Sequence, residues 1–235
     1  MEAQQWNGKK WYCYGTSMTD IREYNGGTAG PMPNRELSHP VRTGWYPLTL
    51  AELSGLEMHS FGKGGSGIVP SQHGDDNIKT RTMTLEDGKA EADLITIEII
   101  PNDDKAPLGE ITDWSDDTFC GNLNQMLAYL LANTEAFVAV LIATRCRYSA
   151  LDPDVRYDPA SQVALKRLER EDAVEKICKL HGVPCWNGAA EACLGYYRMG
   201  NTCEYVADQI HLTEKGGRIL GQYFWGKLKN VYPVK

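Results

Sequence analysis

A serine follows the first apolar segment of the chain at a position where it can act as a nucleophile. Residues 11–14 are four bulky residues in a row, followed by Gly15, Thr16 and Ser17. This run predicts a buried strand that ends at Gly15. A hydroxyl just beyond the carboxyl end of a strand lies where open α/β sheets bind ligands. Ser17 is therefore a candidate nucleophile, although a serine that only satisfies the backbone of a turn has the same pattern.

A histidine late in the sequence is preceded by an aspartate at a useful spacing. Asp208 comes three residues before His211. A carboxylate at this spacing can reach one ring nitrogen of the imidazole, so that the other nitrogen faces outward as a base. A serine hydroxyl needs such a base because it is a poor nucleophile until its proton is removed. A single Asp-x-x-His also fits a helix-entry aspartate beside a solvent-exposed histidine.

Two further segments contain groups that can stabilise a negative charge. Residues 60–67 have the sequence SFGKGGSG, and glycines there permit a turn whose N–H groups point at a ligand. A phosphate-binding loop would need Gly-Lys followed by Ser or Thr, but Lys63 is followed by Gly64. The side-chain amide of Asn102 can donate to an oxyanion. An Asn-Asp pair at this position is equally consistent with a simple turn.

Taken together and in this order, the four motifs resemble those of the SGNH, or GDSL-like, hydrolase family. The resemblance extends from Gly15 to about Gly217. It implies an α/β fold, a three-layer α/β/α sandwich around a five-stranded parallel sheet in flavodoxin-like order. It also implies hydrolysis of esters of small molecules or carbohydrates. On this basis Ser17 is the expected nucleophile, His211 the base, and Asp208 the residue that orients His211.

The resemblance also implies an oxyanion hole. Its donors would be the backbone N–H groups of Ser17 and Gly65 and the side-chain amide of Asn102. This chemistry requires no metal and no cofactor. The residues that we expect to contact the substrate are Asp20, Tyr148 and Trp186.

The sequence departs from the family pattern at three positions. Thr16 replaces the aspartate of Gly-Asp-Ser, which leaves the nucleophile intact, and Ser60 replaces an asparagine that would brace a loop. Ile100, followed by Pro101, replaces the glycine of the third motif. A proline favours an extended conformation in the residue before it, so Ile100 is expected to continue the strand. The position of Asn102 depends on this pair.

Alternating strands and helices must position these motifs. Apolar, β-branched-rich runs predict strands at 11–14, 56–61, 94–100, 137–144 and 183–186. Apolar residues at three- and four-residue spacing predict helices at 47–53, 118–133, 161–181 and about 213–231. This alternation is typical of a parallel sheet with right-handed crossovers. The long loops after the first four strands then lie at one edge of the sheet, and we expect a single domain over residues 1–235.

Composition excludes several classes of protein. The chain has 235 residues, 42% hydrophobic and 23% charged, with a net charge of −7. It has no basic run interleaved with aromatic residues and no stretch near the roughly 20 apolar residues of a membrane span, so we expect neither nucleic acid nor membrane as a partner. The first ten residues lack the apolar core of a signal peptide, which predicts a cytoplasmic protein or a domain of a larger or exported one. Seven scattered cysteines favour free thiols.

The sequence therefore predicts a serine esterase that forms an acyl-enzyme on Ser17 and acts on a small-molecule or carbohydrate ester. Two other functions are compatible with it. One is a carbohydrate-binding or assembly module that keeps the fold without turnover. The other is a metal-dependent phosphoesterase, for which paired aspartates are the candidate ligands, although such pairs are more often solvated loop residues. These pairs are 75–76, 103–104 and 116–117.

Overall fold

A computed structural model describes residues 5–24, 41–42, 44–84, 91–100, 102–103, 105–143, 162–192, 205 and 211–233. In chain order its elements are β1 (Lys10–Gly15), β2 (Glu23–Tyr24), β3 (Val41–Arg42), α1 (Trp45–Ser54), β4 (Glu57–Gly62), α2 (Pro70–His73), α3 (Ile78–Met83), β5 (Leu94–Glu98), α4 (Phe119–Asn133), β6 (Phe137–Ile142), α5 (Gln162–His181), β7 (Cys185–Asn187), α6 (Gly188–Glu191) and α7 (Glu214–Leu228).

The main sheet has five parallel strands in the order β4-β1-β5-β6-β7. The expected flavodoxin-like order is therefore confirmed. The chain first adds β4 on one side of β1 and then continues on the other side with β5. In an open sheet the crevice at such a reversal is the usual ligand site. The antiparallel pair β2–β3 was not predicted, because two-residue strands produce no recognisable alternation.

Helices cover both faces of the sheet, which confirms the three-layer prediction. On one face α3, α4 and α5 pack over a core that includes Ile95, Ile97, Leu123, Leu127, Val174 and Ile177. On the other face α1 and α7 pack over a core that includes Trp11, Leu50, Leu94, Leu141, Leu220 and Phe224. Within the ranges given above, no helix combines the length and the apolar character needed to cross a membrane.

Local capping explains why the predicted helix boundaries agree closely with the structure. The Thr118 side chain accepts a hydrogen bond from the Gly121 amide and begins α4. Helix α5 ends at His181, and the next residue, Gly182, has φ +68°. A left-handed residue after the last turn is a common helix stop that suits glycine. Side-chain capping and glycine stops are local signals, which is why they are visible in the sequence.

Candidate active site

Ser17 lies in a tight turn directly after β1. The carbonyl oxygen of Thr16 accepts hydrogen bonds from the amides of Thr19 and Asp20, each at 3.1 Å. A Cβ atom on Gly15 would lie 2.1 Å from Thr19 Oγ1, so only glycine permits the chain to turn here. Ser17 is 7% exposed. The turn thus holds the serine at the carboxyl end of β1, where the sequence places it.

Glu98, the last residue of β5, binds this turn through its side-chain carboxyl group. Its Oε2 accepts hydrogen bonds from the Thr16 amide (2.8 Å), Thr16 Oγ1 (2.7 Å) and Thr19 Oγ1 (3.2 Å). Glu98 is completely buried. Burial raises the pKa of its carboxyl group to about 7, against the opposing effect of the threonine donors. Glu98 is not among the predicted site residues, although it is the single acidic residue within the apolar run 94–100.

The raised pKa of Glu98 has a measurable effect on stability. A carboxyl group whose pKa is higher in the folded state than its ordinary 4.5 binds more protons when the protein is folded. Its contribution to the free energy of unfolding is therefore complete below pH 4.5 and is lost as the pH rises through about 7. The loss amounts to about 3 kcal/mol. We expect the free energy of unfolding of Glu98→Gln to increase by about this amount relative to wild type between pH 4.5 and pH 8. Urea unfolding of both proteins over that range measures it, and a constant difference would contradict it.

His211 is positioned by the start of α7. Leu212, the next residue, is 1% exposed and belongs to the core beneath α1 and α7. Thr213 begins the helix by accepting a hydrogen bond from the Gly216 amide, and its own amide donates to the Tyr205 carbonyl at 3.0 Å. A Cβ atom on Gly216 would lie 2.3 Å from that carbonyl oxygen, so glycine is needed for this approach. His211 therefore directly precedes a core residue and a helix cap, and these two residues fix its position.

The structure brings Ser17 and His211 into direct contact. Ser17 Oγ and His211 Nε2 are 2.8 Å apart, although 194 positions separate the two residues in the chain. His211 is 2% exposed, so the contact is shielded from bulk water. A hydroxyl and an imidazole nitrogen at this distance can exchange a proton directly. The arrangement has the geometry of a serine nucleophile with its general base.

The glycine-rich segment after β4 runs alongside the Ser17 turn. The Lys63 amide donates to the Gly15 carbonyl at 3.1 Å, and the Gly64 amide donates to Asp20 Oδ2 at 3.2 Å. A Cβ atom on Gly62 would lie 2.4 Å from the backbone of the turn. Gly65 is exposed and has φ +75°, a conformation that favours glycine. The segment that contains the expected backbone donor is thus bound to the nucleophile turn.

The Ser60 side chain also joins β4 to the Ser17 turn. Its hydroxyl donates to the Thr19 carbonyl at 2.9 Å. The Gly62 amide in turn donates to Ser60 Oγ at 3.4 Å. A serine at this position therefore braces the nucleophile turn with its own side chain, in place of the asparagine of the family pattern.

Asn102 lies against the glycine-rich segment. Its Nδ2 donates to the Ser66 carbonyl at 2.8 Å. An amide nitrogen carries two hydrogens, so this bond is compatible with a second one to a ligand. The neighbouring Asp103 is completely buried, and its carboxylate accepts the amides of Ile68 and Val69. This structural role of Asp103 was not predictable from the Asn-Asp pair alone.

The backbone at Ile100 corrects the sequence-based expectation. The strand ends at Glu98 rather than at 100, and Ile100 has φ +103° instead of an extended conformation. Such a conformation is rare for a β-branched residue and costs about 1–3 kcal/mol. Two contacts hold it: the Ile100 side chain is 3% exposed in the core, and its carbonyl accepts the Asp103 amide at 3.3 Å. Ile100 thus adopts a positive φ at the position where the family pattern has a glycine.

Two residues that we expected to contact the substrate make other contacts in the structure. The Asp20 carboxylate accepts hydrogen bonds from Arg22 and from the Gly64 amide. Trp186 is 6% exposed and packs between Phe137 and Phe224 in the core, with ring centroids 6.3 and 6.4 Å away. A substrate role for either residue stays a prediction.

Two predicted site residues lie outside the described ranges, so the structure adds nothing to their assigned roles. They are Asp208, expected to orient His211, and Tyr148, expected to contact the substrate.

Two of the aspartates considered as metal ligands form ion pairs with basic side chains. Asp76 forms ion pairs with Lys63 and Arg81, which lower the pKa of its carboxyl group. Asp116 pairs with Lys79 at 2.7 Å. Among the residues that the structure describes, no group of three or more His, Cys, Asp or Glu side chains is arranged to hold a metal ion.

Solved structures share this fold at low sequence identity. A protein from Lactobacillus plantarum is 20% identical with a TM-score of 0.71, over 96% of this chain and 99% of that one. A member of the lipolytic G-D-S-L family from Veillonella parvula is 12% identical with a TM-score of 0.61, over 95% and 100%. A mutant of an acetyl-xylooligosaccharide esterase from a Geobacillus species is 15% identical with a TM-score of 0.58, over 97% and 96%. No protein-family model and no curated protein sequence matches the chain.

Proposed function

We propose that this chain, which has the fold of G-D-S-L lipolytic proteins of known structure, is a serine esterase that hydrolyses carboxylic esters. The observation that carries the proposal is the 2.8 Å contact between Ser17 Oγ and His211 Nε2. The fold alone would not suffice, because one fold can host many unrelated activities. A buried serine and a buried imidazole in contact at the carboxyl edge of a parallel sheet supply the chemistry that the fold does not specify.

The proposed reaction has two steps. In the first, Ser17 Oγ attacks the ester carbonyl while its proton passes to His211 Nε2, and the imidazolium then protonates the departing alcohol. This step leaves the acyl group on Ser17. In the second, His211 removes a proton from water as the water attacks the acyl-enzyme, and the imidazolium returns this proton to Ser17 Oγ as the bond to the acyl group breaks and the carboxylic acid leaves. Asp208, by the resemblance to the family, would orient His211 and stabilise the imidazolium.

The negative charge of each tetrahedral intermediate needs donors that are already in place. We propose the amides of Ser17 and Gly65 and Nδ2 of Asn102 for this role. The contact of Asn102 with the Ser66 carbonyl supports it, because that contact holds the side chain beside Gly65. Each donor in such a hole is worth about 3–4 kcal/mol in other hydrolases.

We propose small acyl esters as substrates, with O-acetylated carbohydrates as the first class to test. The support is a structural neighbour described as an acetyl-xylooligosaccharide esterase. Release of acetate from acetylated xylooligosaccharides, compared with hydrolysis of long-chain p-nitrophenyl esters, would test this choice. Preference for the long-chain esters would contradict it.

Covalent labelling tests the nucleophile directly. A fluorophosphonate phosphonylates a serine whose proton is taken by a neighbouring base. We expect it to label the wild-type chain once, and mass spectrometry to place the label on the peptide that contains Ser17. Ser17→Ala should remain unlabelled under the same conditions. A label on another serine, or none on a wild-type chain that hydrolyses p-nitrophenyl acetate, would contradict the proposal.

A further inference from the structure

We infer that Glu98 is the positioning residue of the nucleophile turn: by binding Thr16 and Thr19 on either side of Ser17, its carboxyl group sets Ser17 Oγ against His211 Nε2. The inference deepens the proposed function and rests on it. Glu98 itself does not touch the reacting atoms, because its contacts are with the residues that flank Ser17.

The contacts fix the turn at both ends. One carboxyl oxygen, Oε2, receives the amide and the hydroxyl of Thr16, the residue immediately before Ser17. The same oxygen receives the hydroxyl of Thr19, two residues after it. Thr16 and Thr19, which flank the Ser17–Met18 segment, both bind Glu98 Oε2. A displacement of Oε2 would therefore displace Ser17 together with the rest of the turn.

The carboxyl group is itself rigidly held. Glu98 pairs with Leu141 in the centre of the sheet and is completely buried. The Thr19 hydroxyl also lies 2.7 Å from the Tyr46 hydroxyl of α1. A Cβ atom on Gly15 would lie 2.7 Å from Glu98 Oε2, so the glycine before the turn leaves room for the carboxyl group. The turn is therefore fixed to the sheet through the Glu98 side chain and to α1 through the Thr19 hydroxyl.

Thr16 complements Glu98 chemically. It stands where the family pattern has an aspartate. A threonine supplies a hydroxyl donor to a carboxyl acceptor, whereas an aspartate beside Glu98 would place two acids in contact. The pair Thr16–Glu98 thus brings an acidic group to the turn from the neighbouring strand instead of from the motif itself.

The charges around Glu98 allow the positioning contact in both of its protonation states. Cys13 and Tyr46 lie on the same face of the sheet, and burial raises the pKa of the Cys13 thiol to about 12 and that of the Tyr46 hydroxyl well above its ordinary value. These raised pKa values keep both groups neutral, whereas the negative charge of Asp103 favours protonated Glu98. Because all three donors bind Oε2, a proton carried on Oε1 leaves them in place.

Three variants of the full chain test the inference with p-nitrophenyl acetate. Glu98→Leu removes the acceptor at similar volume, Glu98→Gln keeps an acceptor oxygen without the charge, and Thr96→Val is the control. Thr96 is buried two residues earlier on the same face of β5 and accepts a hydrogen bond from Trp11 Nε1 at 2.9 Å, away from the turn. All rates are normalised to folded protein measured by circular dichroism.

We expect Glu98→Leu to lower kcat by about 10- to 100-fold with KM within about twofold of wild type, because a small misplacement of a reacting group costs rate rather than binding. Glu98→Gln should keep kcat within about threefold, because its amide oxygen can replace Oε2. Thr96→Val should lower stability and leave kcat of the folded protein unchanged. If Glu98 had only a structural role, Glu98→Leu would change the free energy of unfolding and leave kcat of the folded protein unchanged.

A double-mutant cycle gives an independent result should Glu98→Leu fail to fold. Thr16→Val removes one donor, and we expect it to lower kcat by about fivefold in wild type. In the Glu98→Gln background, where the acceptor is weaker, Thr16→Val should lower kcat by a clearly smaller factor. Equal losses in the two backgrounds, or wild-type kcat in Thr16→Val, would overturn the inference.

The outcomes separate this inference from the proposed function. Ser17→Ala is measured beside the other variants. If Ser17→Ala is inactive and folded Glu98→Leu has wild-type kcat, only the role of Glu98 is wrong. If Ser17→Ala keeps wild-type activity, the proposed function fails, and the role of Glu98 fails with it.

Discussion

Ser17→Ala is expected to lower kcat for p-nitrophenyl acetate by about 10⁴-fold or more, because alanine removes the oxygen that forms the acyl-enzyme. The substitution deletes one atom from a residue that is 7% exposed at the end of β1. It leaves the contacts of Thr16 and Thr19 with Glu98 unchanged. The fold should therefore survive, and a steady-state assay of the purified variant, with circular dichroism to establish folding, measures the effect.

A matched control is available in α1. Ser54 is 2% exposed, and its hydroxyl donates to the Leu50 carbonyl within the helix. Ser54→Ala also removes one buried hydroxyl, but at a distance from the proposed chemistry, so its kcat should equal that of wild type. Retention of more than about a tenth of the wild-type rate in Ser17→Ala would exclude Ser17 as the nucleophile, since single triad deletions in other hydrolases cost far more.

His211→Gln is expected to lower kcat by about 10³- to 10⁴-fold at neutral pH, because glutamine can accept a hydrogen bond but cannot act as a base. The loss follows from the position of His211 Nε2, which is 2.8 Å from Ser17 Oγ. Stopped-flow and steady-state assays of acyl-enzyme formation measure it. Since nucleophile and base act as one unit, the double variant Ser17→Ala/His211→Gln should be no slower than Ser17→Ala.

His59→Gln provides the corresponding control. His59 lies on β4 with its side chain 39% exposed, near Glu57. Its replacement should leave kcat unchanged. If the effects of Ser17→Ala and His211→Gln instead multiply in the double variant, the two residues act independently and the proposed mechanism is wrong.

The sheet and the main helices were predictable because their signals are local. The runs at β5 and β6 are apolar and rich in β-branched residues, and these two strands occupy buried positions in the sheet. The Thr213 cap of α7 is also local, as is the glycine stop after α5. The contact between Ser17 and His211 was accessible only because the order of the four motifs resembles a known family.

The features that the sequence did not reveal depend on tertiary contacts. The φ of Ile100 is set by burial of its side chain and by the turn to Asp103, and these contacts override the local preference imposed by the following proline. Glu98 appeared only as one polar residue in an apolar strand, because its partners belong to the turn after a different strand. The packing of Trp186 against Phe137 and Phe224 also depends on tertiary contacts, and its substrate role stays a prediction.

The separation of Ser17 and His211 by 194 positions bears on when the protein can become active. If the two residues act as proposed, a nascent polypeptide presents its nucleophile long before the ribosome has made the base. Turnover then begins only once α7 has docked beside α1, so premature chains stay inert toward cellular esters. A backbone cut anywhere between the two residues would preserve activity only while both fragments remain associated, and ester hydrolysis could therefore report fragment complementation.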